Sequence, residues 1–464
     1  RPAHLLRHGF TLGRPVRTAR LYATAHGVYE AFLNGHRVGD AELTPGFTAY
    51  RSHLQVQTYD VTALLAEGDN TLGAVLSDGW FRGRHGFLRA ADGFGTRTAF
   101  LAQLVVTHHD GTTAVVGTGP GWRSTPGAVT AADLMDGQRV DLRVHDPRWA
   151  TARYDDRHWD GAEVASGGLY DDFARLTGTP APPVRRTAEI RPVSVTRPLP
   201  DRHVVDLGQN INGWVRLRDL GPVGTKLTLV HGEALDEHGD VTTDNIRAFD
   251  FATRRPLPAG QTDTVISAGR AGESFEPRHT THGFRYVRVE GHPGALTEDD
   301  VTGIVVHTDL TRTGWFTSSD ERLDRLHEAA LWSFRGNACD VPTDCPQRER
   351  AAWTGDWQVF SPAAAYLYDV AGFTAKWLRD LAADQWSDGV VPNFVPDPAD
   401  EDARRSSPEG GMNGSAGWGD AAVIVPWEMW RAYGDLELLR DQYPSMRAWV
   451  DHAAHQARAQ RHPD

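Results

Sequence analysis

The sequence predicts a multidomain protein in which two antiparallel β-sandwich domains precede a helical domain. The length of 464 residues is enough for about three domains of ordinary size. Short strand-like runs fill the chain up to residue 310, whereas helical spacing begins after Thr311. A proline-rich stretch from Pro180 to Pro200 separates two groups of strand-like runs. We therefore expect domains at residues 1–180, 181–310 and 311–464.

The composition argues against nucleic acid and membranes as partners. With 48 Lys and Arg against 61 Asp and Glu, the formal net charge is −13, whereas proteins that bind a phosphate backbone present a basic face. The 40% hydrophobic content is that of an ordinary globular protein. The strongest apolar run, Ala421 to Val425, ends at Pro426 and is far shorter than the roughly 20 residues of a membrane span.

The two cysteines, Cys339 and Cys345, bear on the compartment. Two thiols cannot form a disulfide framework, nor a four-ligand zinc site on their own. Their small number fits a reducing compartment, so we expect a cytoplasmic protein. A secreted protein whose leader precedes Arg1 is the open alternative, because the chain begins with neither Met nor a signal-like segment.

Two dipeptides predict β-hairpins in the first domain. The run His26–Leu33 leads to Asn34-Gly35, and the run Ala99–Val106 leads to Asp110-Gly111. Asn-Gly and Asp-Gly are the preferred residues of a type I′ turn, in which both residues take a positive φ. No long helical pattern lies between the strand-like runs, which favours antiparallel sheets. The further runs are Thr71–Leu76, Trp214–Leu217, Lys226–Val230, Thr262–Ile266 and Tyr286–Val289.

The helical region begins with a recognisable N-terminal signal. Ser318 and Glu321 match a capping box, in which the two side chains satisfy each other's backbone N–H groups. An apolar stripe follows at helical spacing, formed by Leu323, Leu326, Ala330 and Phe334.

Four more helices are predicted after this one, several of them apolar on more than one side. Helices of that kind need neighbours on each apolar side. The predicted helices are Thr354–Tyr368, Phe373–Trp386 ending before Gly389, Ala421–Tyr433 ending before Gly434, and Leu436–Arg458 with a break at Pro444.

Common cofactor and nucleophile motifs are missing from the sequence. It contains no phosphate-binding glycine loop, no Ser nucleophile elbow and no HExxH. His279 and His282 are possible metal ligands, but they lie in a strand-like segment with no obvious third donor. A structural role is the favoured interpretation, so we assign no metal and no cofactor.

Residues 340–357 concentrate carboxylates, guanidinium groups and indoles at a loop-to-helix junction. Indole faces cover the apolar side of a pyranose, while carboxylates and arginine bind its hydroxyls. The segment is therefore typical of a sugar site. Glu349 is the best candidate for a general acid, because Trp353 can shelter a carboxyl that keeps its proton near neutral pH.

The start of the helix decides how these side chains converge. Thr354 is a suitable N-cap, which would place Asp356 in the favourable first turn. A helix that begins at Pro346 would instead put Glu349, Trp353 and Asp356 on one face. Both arrangements bring the three side chains together.

A structural interpretation of the same residues remains open. Glu349 and Asp356 can pair with Arg348 and Arg350 in a surface salt-bridge cluster, the usual role of mixed charges. Asp344 is equally compatible with a turn residue before a proline. Farther along the chain, Trp418 and Asp420 form either a sugar platform or the entry to the next helix.

The segment DCPQRER at 344–350, followed by WTGD at 353–356, resembles the catalytic signature of the bacterial α-L-rhamnosidases of glycoside hydrolase family 78. Similar motifs occur in order through nearly the whole chain. They are FLNG at 32–35, LSDGW at 76–80, DLGQN at 206–210 with GW at 213–214, FEP at 275–277, HGFRY at 282–286, WLRD at 377–380 and WGD at 418–420.

The resemblance implies that the helical region is the first part of an (α/α)6 barrel. It also implies inverting hydrolysis of terminal α-L-rhamnosyl linkages in glycosides or polysaccharides, in which an acid protonates the departing oxygen and a second carboxylate activates water. The general base of the family is expected after Asp464, so we expect little activity from residues 1–464 alone. In this correspondence Glu349 is the general acid, and the rhamnose-binding residues are Asp344, Arg348, Trp353, Asp356 and Trp418.

Two other function classes remain alternatives. One is a carbohydrate-binding assembly without catalysis, in which the first domain holds a sugar through Trp80, although an indole in the core is the more common role for such a residue. The other is a glycan lyase on a similar helical toroid. The sequence does not fix the aglycone, calcium binding in the β domains or the oligomeric state.

Overall fold

The structure is a computed structural model, and it describes residues 1–86, 89–250, 253–407 and 410–459. Strands dominate up to Thr308 and helices dominate from Glu321. The predicted order of a β-rich part followed by a helical part is therefore confirmed. Within the described ranges, no helix combines the length and the apolar character that a bilayer crossing requires.

Two sheets form what we call the first β unit. Their inward side chains share one core, in which Leu21 and Leu104 of the four-stranded sheet meet Leu33 and Leu72 of the six-stranded sheet. The six-stranded sheet has the order Asp160–Gly161, Arg123–Pro126, His4–Leu12, Gly68–Ser77, Val28–Leu33 and His36–Arg37, and the four-stranded sheet has the order Gln57–Asp60, Val16–His26, Ala99–His108 and Thr113–Gly117.

Both predicted hairpins are confirmed, but only one has the predicted turn. Asn34 and Gly35 have φ values of 52° and 86°, as a type I′ turn requires. In the second hairpin, Asp110 keeps an ordinary φ, and Gly111 alone of the pair is left-handed, at 83°. The carboxylate of Asp110 accepts from the backbone N–H of Thr112. This bond forms an Asx turn and lengthens the connection.

A ten-stranded sheet forms the second β unit, with the long strand Arg202–Arg218 at its centre. This strand pairs antiparallel with His282–Glu290 and with Val301–Thr308. The remaining strands on the main path, in spatial order from the first edge, are Val129–Asp133, Gly137–Asp141, Thr262–Ile266, Lys226–Gly232 and, at the opposite edge, Val184–Ile190. Outside this path, Ser194–Leu199 and Ser274–Phe275 pair with the central strand.

The second sheet corrects the predicted division of the chain. Val129–Asp133 and Gly137–Asp141 belong to the range 1–180 that the sequence assigned to the first domain, yet they extend the ten-stranded sheet. Gly137–Asp141 pairs with Thr262–Ile266 in parallel, so this sheet is mixed and not purely antiparallel. Sequence order alone could not reveal this crossing, because it depends on a pairing across more than 120 residues.

Short elements complete the described β-rich part and the junctions. The two-stranded pairs are Leu54–Gln55 with Leu176–Thr177, Ala234–Leu235 with Val241–Thr242, Phe249–Asp250 with Arg255–Pro256, and Ala338–Cys339 with Val341–Pro342, and the 3-10 turns are Thr62–Leu64, Leu142–Val144, Gly168–Tyr170, Phe173–Arg175, Asp244–Ile246 and Gly410–Met412.

Most predicted helices are present with small shifts of their ends. Gly434 ends the helix Ala421–Tyr433 in the left-handed conformation, with φ 71°, as predicted. The predicted break at Pro444 is wrong, because the last helix continues through it. The α-helices are α1 (Gly79–Arg82), α2 (Glu321–Asn337), α3 (Thr354–Leu367), α4 (Ala371–Asp384), α5 (Glu401–Arg405), α6 (Ala416–Gly419), α7 (Ala421–Tyr433) and α8 (Leu436–Ala459).

The start of α2 differs from the predicted capping box. The N-cap is Asp320, whose carboxylate accepts from the backbone N–H of Arg322. Ser318 lies outside the helix, and its hydroxyl accepts from the N–H of Asp320. An acidic N-cap also suits the positive end of the helix dipole.

The apolar stripe predicted for α2 is only partly buried. Leu323 and Leu326 are 47% and 66% exposed, whereas Leu331 and Phe334 are buried. Leu331 and Phe334, in the C-terminal half of α2, belong to the core shared with the other helices, and Trp332 packs against the core of the second β unit. Helical spacing therefore identified the helix but not the part of its face that is covered.

The first β unit and the helices share one hydrophobic core. Phe47 and Trp80 from the first unit join Trp357, Phe373 and Trp377 from α3 and α4 in this cluster. Trp80 is only 6% exposed, and its ring stacks on that of Phe47 with centroids 5.6 Å apart. Trp80 is therefore a core residue, and the alternative that it binds sugar is wrong.

Candidate active site

Residues 344–351, which we call the acid loop, connect the short strand Val341–Pro342 to the region before α3. Two hydrogen bonds close the loop: the N–H of Asp344 donates to the carbonyl of Ala351 at 3.0 Å, and the N–H of Ala351 donates to Oδ1 of Asp344 at 3.1 Å. Asp344 is therefore a loop-closing residue as well as a candidate sugar ligand.

Helix α3 begins after the acid loop and not within it. Its N-cap is Trp353, one position before the predicted cap, and Thr354 is the first helical residue. The alternative start at Pro346 is wrong. Asp356 lies in the first turn, as predicted, where the helix dipole favours a negative charge.

Glu349 has two side-chain partners. Its Oε2 accepts a hydrogen bond from the indole Nε1 of Trp353 at 3.0 Å, and its Oε1 accepts from Nε of Arg348 at 3.2 Å. The side chain is 15% exposed, so it is sheltered but reachable. The predicted contact with Trp353 is therefore present, and it bridges the loop and the cap of α3.

The backbone of Glu349 is fixed from both sides. Its carbonyl accepts from the N–H of Gly86 of the first β unit at 2.9 Å. Its own N–H donates to Sγ of Cys345 at 3.3 Å. A residue of the segment that follows α1 thus contacts the candidate acid directly, and nothing in the sequence indicates this contact.

The other two carboxyls of the site respond to burial and to Glu349. Burial raises the pKa of Asp344 to about 7, the hydrogen bond from Cys345 opposes that rise, and the negative charge of Glu349 adds to it. Partial burial also raises the pKa of Asp356, with a smaller contribution from Glu349. Three carboxyls therefore interact within one site, an arrangement that is common where acid–base chemistry occurs.

Aromatic rings border the acid. The ring of Trp353 lies 6.5 Å from that of Trp418 at an angle of 64°, and 5.5 Å from that of Phe394 at 69°. Trp418 is 39% exposed and presents a free ring surface of the kind that stacks on a sugar. A Cβ on Gly355 would lie 3.1 Å from the Trp418 ring, so the two segments pack closely. Phe394 was not predicted, because nothing near it in sequence is unusual.

The salt-bridge interpretation holds for one pair only. Arg348, 47% exposed, pairs with Glu349 at 3.2 Å. In the described part of the chain, Arg350 and Asp356 have no ion pair, and Arg350 is buried. Asp420 accepts from the indole of Trp449 at 2.9 Å, which gives it a structural role at the start of α7.

The second β unit lies under the acid loop. The side-chain amide of Gln347 donates to Oε1 of Glu233, which also accepts from Asn210 at 2.6 Å. A Cβ on Gly283 would lie 2.7 Å from the side chains of Pro346 and Gln347, so only glycine fits there. The motifs at 206–210 and 282–286 thus include residues that support the loop, a role that the sequence did not indicate.

One group of side chains in the described ranges approaches metal-binding spacing: His231, Asp263 and His282. Nε2 of His282 is 2.9 Å from Oδ2 of Asp263, and Nε2 of His231 is 3.8 Å from it. The two imidazole rings stack with centroids 4.1 Å apart and an interplanar angle of 19°, and Nδ1 of His231 lies 3.0 Å from the carbonyl oxygen of Gln261. Burial lowers the pKa of His231 to about 3 and raises that of Asp263 to about 6. We interpret the group as a buried hydrogen-bonded cluster.

A cavity of about 620 Å³ opens elsewhere, in the first β unit. His26, Phe100 and Tyr170 are among the residues that line it. None of the six predicted site residues does, so the cavity is separate from the acid loop.

Comparison with known families places three matches along the chain. Residues 14–188 match the alpha-L-rhamnosidase N-terminal domain, residues 196–307 the bacterial alpha-L-rhamnosidase concanavalin-like domain, and residues 311–463 the bacterial alpha-L-rhamnosidase 6 hairpin glycosidase domain. The chain belongs to the bacterial α-L-rhamnosidases of glycoside hydrolase family 78. The acid loop lies in the third of these matches.

Curated members of the family align with almost the whole chain. An α-L-rhamnosidase of Streptomyces avermitilis is 43% identical over 452 residues, which are 97% of this chain and 41% of that protein. One of Formosa agariphila is 34% identical over 465 residues, covering 98% of this chain and 47% of that protein. The chain thus spans less than half the length of these rhamnosidases.

Solved rhamnosidase structures have the same fold. The Streptomyces avermitilis enzyme, crystallised with L-rhamnose, superposes with a TM-score of 0.91 at 42% identity and covers 98% of this chain and 42% of its own. The Aspergillus terreus α-L-rhamnosidase gives a TM-score of 0.88 at 36% identity, with 97% and 50% covered. The arrangement of β units and helices described above is therefore that of family members.

Proposed function

We propose that this chain forms the sugar-binding and proton-donating part of an α-L-rhamnosidase that removes terminal α-L-rhamnose from glycosides or polysaccharides. The observation that supports this most directly is the position of Glu349, whose carboxyl accepts from the indole of Trp353, the ring that lies 6.5 Å from the exposed ring of Trp418. A carboxyl beside an aromatic surface can protonate a glycosidic oxygen while the ring supports the sugar.

Each site residue has a proposed role. Glu349 is the general acid that protonates the departing oxygen. Trp353 orients Glu349 through its N–H, and its ring and that of Trp418 support the apolar side of the rhamnose. The hydroxyl groups of the sugar would be bound by the carboxyls and the guanidinium group of Asp344, Asp356 and Arg348.

Arg348 is exposed enough to serve two partners in this scheme. Its side chain is half-exposed and reaches Glu349 at 3.2 Å. An exposed ion pair of this kind stabilises a protein by about 1 kcal/mol or less. A sugar hydroxyl can therefore compete for the guanidinium at little cost, which would release one oxygen of Glu349 toward the glycosidic bond.

We propose an inverting reaction on a fold of two β-sandwiches and an (α/α)6 barrel. Inversion requires a second carboxyl about 6.5–9.5 Å from the acid, with a water molecule between them. Asp344 and Asp356 are assigned to sugar binding because both lie beside Glu349 in the same segment. We propose that the general base is a carboxylate outside residues 1–464, so that these residues alone would bind rhamnose but hydrolyse it poorly.

The leaving group of the substrate provides the test. In a protein extended to its natural C-terminus, Glu349→Gln should abolish most hydrolysis of rhamnosides with poor leaving groups, by about 10²-fold or more. It should largely spare 2,4-dinitrophenyl α-L-rhamnoside, whose leaving group departs without protonation. Proton NMR of the first-formed rhamnose should show the β-anomer. Equal loss on both substrates would exclude Glu349 as the proton donor, and an unsaturated product would indicate a lyase.

A further inference from the structure

Arg350 lies in the acid loop, and the structure excludes the alternative that it belongs to a surface salt-bridge cluster. It is 7% exposed, and no described carboxylate lies within 4.0 Å of its guanidinium group. Burial lowers its pKa to about 10. A buried charge without an opposite charge in contact costs free energy, so its presence requires a compensating role.

The guanidinium of Arg350 instead binds oxygen atoms of the second β unit. Nη1 donates to the carbonyl of Leu134 and, at 2.7 Å, to that of Thr281. Nη2 donates to Oε1 of Gln261 at 3.2 Å. Leu134, Gln261 and Thr281 each lie next to the end of a strand of the ten-stranded sheet. One side chain therefore ties the acid loop to three strand ends.

These acceptors cannot easily move. Gln261 is fully buried, and its side-chain NH₂ donates to the carbonyl of Gly283 at 3.0 Å and to that of His231 at 3.3 Å. The N–H of Gly283 returns a bond of 3.0 Å to Oε1 of Gln261. The amide orientation of Gln261 is thus set by the sheet, which presents its oxygen to Arg350.

The backbone of Arg350 is also in an unusual state. Its φ is 57°, in the left-handed region that costs a non-glycine residue about 1 kcal/mol. This conformation turns the Arg350 side chain down into the sheet, while Glu349 keeps its carboxyl on the side of Trp353 and Arg348. Two adjacent side chains thereby face opposite ways, one as an anchor and one toward the site.

We propose that Arg350 is a positioning residue, through which the ten-stranded sheet fixes the carboxyl of Glu349 where it can donate its proton. This proposal rests on the proposed function. A neutral side chain of similar volume would fill the same space without the cost of burying a charge. The planar fork of the guanidinium, however, fixes direction through several bonds at once, which a hydrophobic side chain cannot do.

The test compares two substitutions at this position with a matched control elsewhere. Arg350→Met removes the hydrogen bonds and keeps the length, and Arg350→Lys keeps the charge but not the fork. Arg175→Met is the control, because Arg175 is also buried and also donates to two backbone carbonyls, those of Tyr50 and Leu169, in the first β unit. All three are made in the protein extended to its natural C-terminus.

Displacement of a catalytic group by about 1 Å can cost about 10²-fold in rate. We expect Arg350→Met to lower kcat on a rhamnoside with a poor leaving group by about that factor, and to lower kcat on the dinitrophenyl rhamnoside by less than about threefold. KM for both substrates should stay within about threefold, because the sugar contacts remain. Arg350→Lys should recover part of the lost rate, to about tenfold below the parent.

The control variant and the midpoint of urea unfolding distinguish a loss of positioning from a loss of stability. Arg175→Met should change kcat on the two substrates by the same factor, whatever its effect on the midpoint of urea unfolding. If Arg350→Met lowers kcat on both substrates by the same factor, or on neither, the proposal is overturned. If that variant does not fold, Arg350→Lys must still show the larger loss on the poor leaving group, and equal losses there overturn the proposal. A parent protein inactive on both rhamnosides would instead refute the proposed function.

Discussion

The indole N–H of Trp353 donates to Oε2 of Glu349 across 3.0 Å, from the N-cap of α3 to the acid loop. The same ring makes edge contacts with Trp418 and Phe394. The position of the candidate acid is therefore coupled to the aromatic surface proposed to hold the sugar. A shift of the ring changes both the orientation of the carboxyl and the shape of the platform.

Substitution of Trp353 by Phe isolates the hydrogen bond from the ring. The variant keeps an aromatic surface but cannot donate to Glu349, and a hydrogen bond to a charged group is worth about 1.5–3 kcal/mol. We expect kcat on a rhamnoside with a poor leaving group to fall about tenfold to a hundredfold, with a smaller effect on the dinitrophenyl rhamnoside. Steady-state kinetics on the two substrates measures the difference.

Trp357→Phe is the matched control for this change. Trp357 is buried in the core, and its Nε1 has no hydrogen-bond partner in the described structure. Its loss should lower the free energy of unfolding through poorer packing and leave the ratio of the two rates unchanged. If both variants change that ratio alike, the Trp353 hydrogen bond has no special role.

The raised pKa of Asp344 predicts that stability depends on pH with a defined sign. Its pKa in the folded state is about 7, against an ordinary value of 3.8. Between these values the folded protein holds a proton that the unfolded chain has lost, so the free energy of unfolding falls as the pH rises. The contribution is fully present below about pH 4 and is lost as the pH passes through 7.

The variant Asp344→Asn cannot ionise and should not show this decline. Its stability relative to the parent should therefore increase from pH 4 to pH 8, measured by urea unfolding at each pH. Asp320→Asn should show the opposite pH trend in stability, because hydrogen bonds from Arg322 lower the pKa of Asp320. This substitution should lower the free energy of unfolding above pH 4. A parent-to-variant difference for Asp344 that is independent of pH would contradict the raised pKa.

Local signals in the sequence located most elements, since they depend on neighbouring residues. The helix Ala421–Tyr433 and its end at Gly434 follow from helical spacing and a left-handed glycine. Exposure at Leu326 could not be predicted in the same way, because burial depends on which distant segment covers the helix. The continuation of α8 through Pro444 is a similar case, in which tertiary packing outweighs one lost hydrogen bond.

The sequence predicts which residue types form the site but not which of them are in contact. Glu349, Trp353 and Trp418 are candidates because carboxyls and indoles bind sugars, and the structure places Trp353 next to each of the other two. The alternative of a surface salt bridge for Arg350 is wrong because the side chain is buried, and nothing in the sequence indicates the left-handed φ that turns it inward. Gly86 is likewise about 260 residues from its partner, a separation at which one sequence offers no signal.

We expect substitution of Asp356 to weaken sugar binding rather than proton transfer. It is exposed in the first turn of α3 and has no ion pair among the described residues, so its carboxylate is available to a sugar hydroxyl. Asp356→Asn should lower kcat/KM by about tenfold on both rhamnosides, because the lost contact is independent of the leaving group. Asp369→Asn, a change at the start of α4, is the control and should leave both rates near those of the parent. A loss confined to the poor leaving group would instead assign Asp356 to proton transfer.

One buried cation joins the first β unit to the helices. Lys376 of α4 is 4% exposed, and its Nζ lies 3.1 Å from Oδ2 of Asp340 and 3.5 Å from Oδ2 of Asp380. It also donates to the carbonyl of Phe47. The ammonium group therefore bridges two carboxylates and a backbone carbonyl, and the same carboxylates also accept from the backbone N–H groups of Phe47 and Ala49.

Lys376→Met should destabilise the protein strongly, because it leaves two buried carboxylates without a cation. Breaking a buried ion pair in this way typically costs about 3–5 kcal/mol. The chain has only one other lysine, Lys226, which is exposed on the ten-stranded sheet. Lys226→Met is therefore the matched control, and it should change the free energy of unfolding by about 0.5 kcal/mol or less. Urea unfolding followed by tryptophan fluorescence measures both variants. A loss for Lys376→Met that is no larger than that of Lys226→Met would show that Lys376 does not hold the units together.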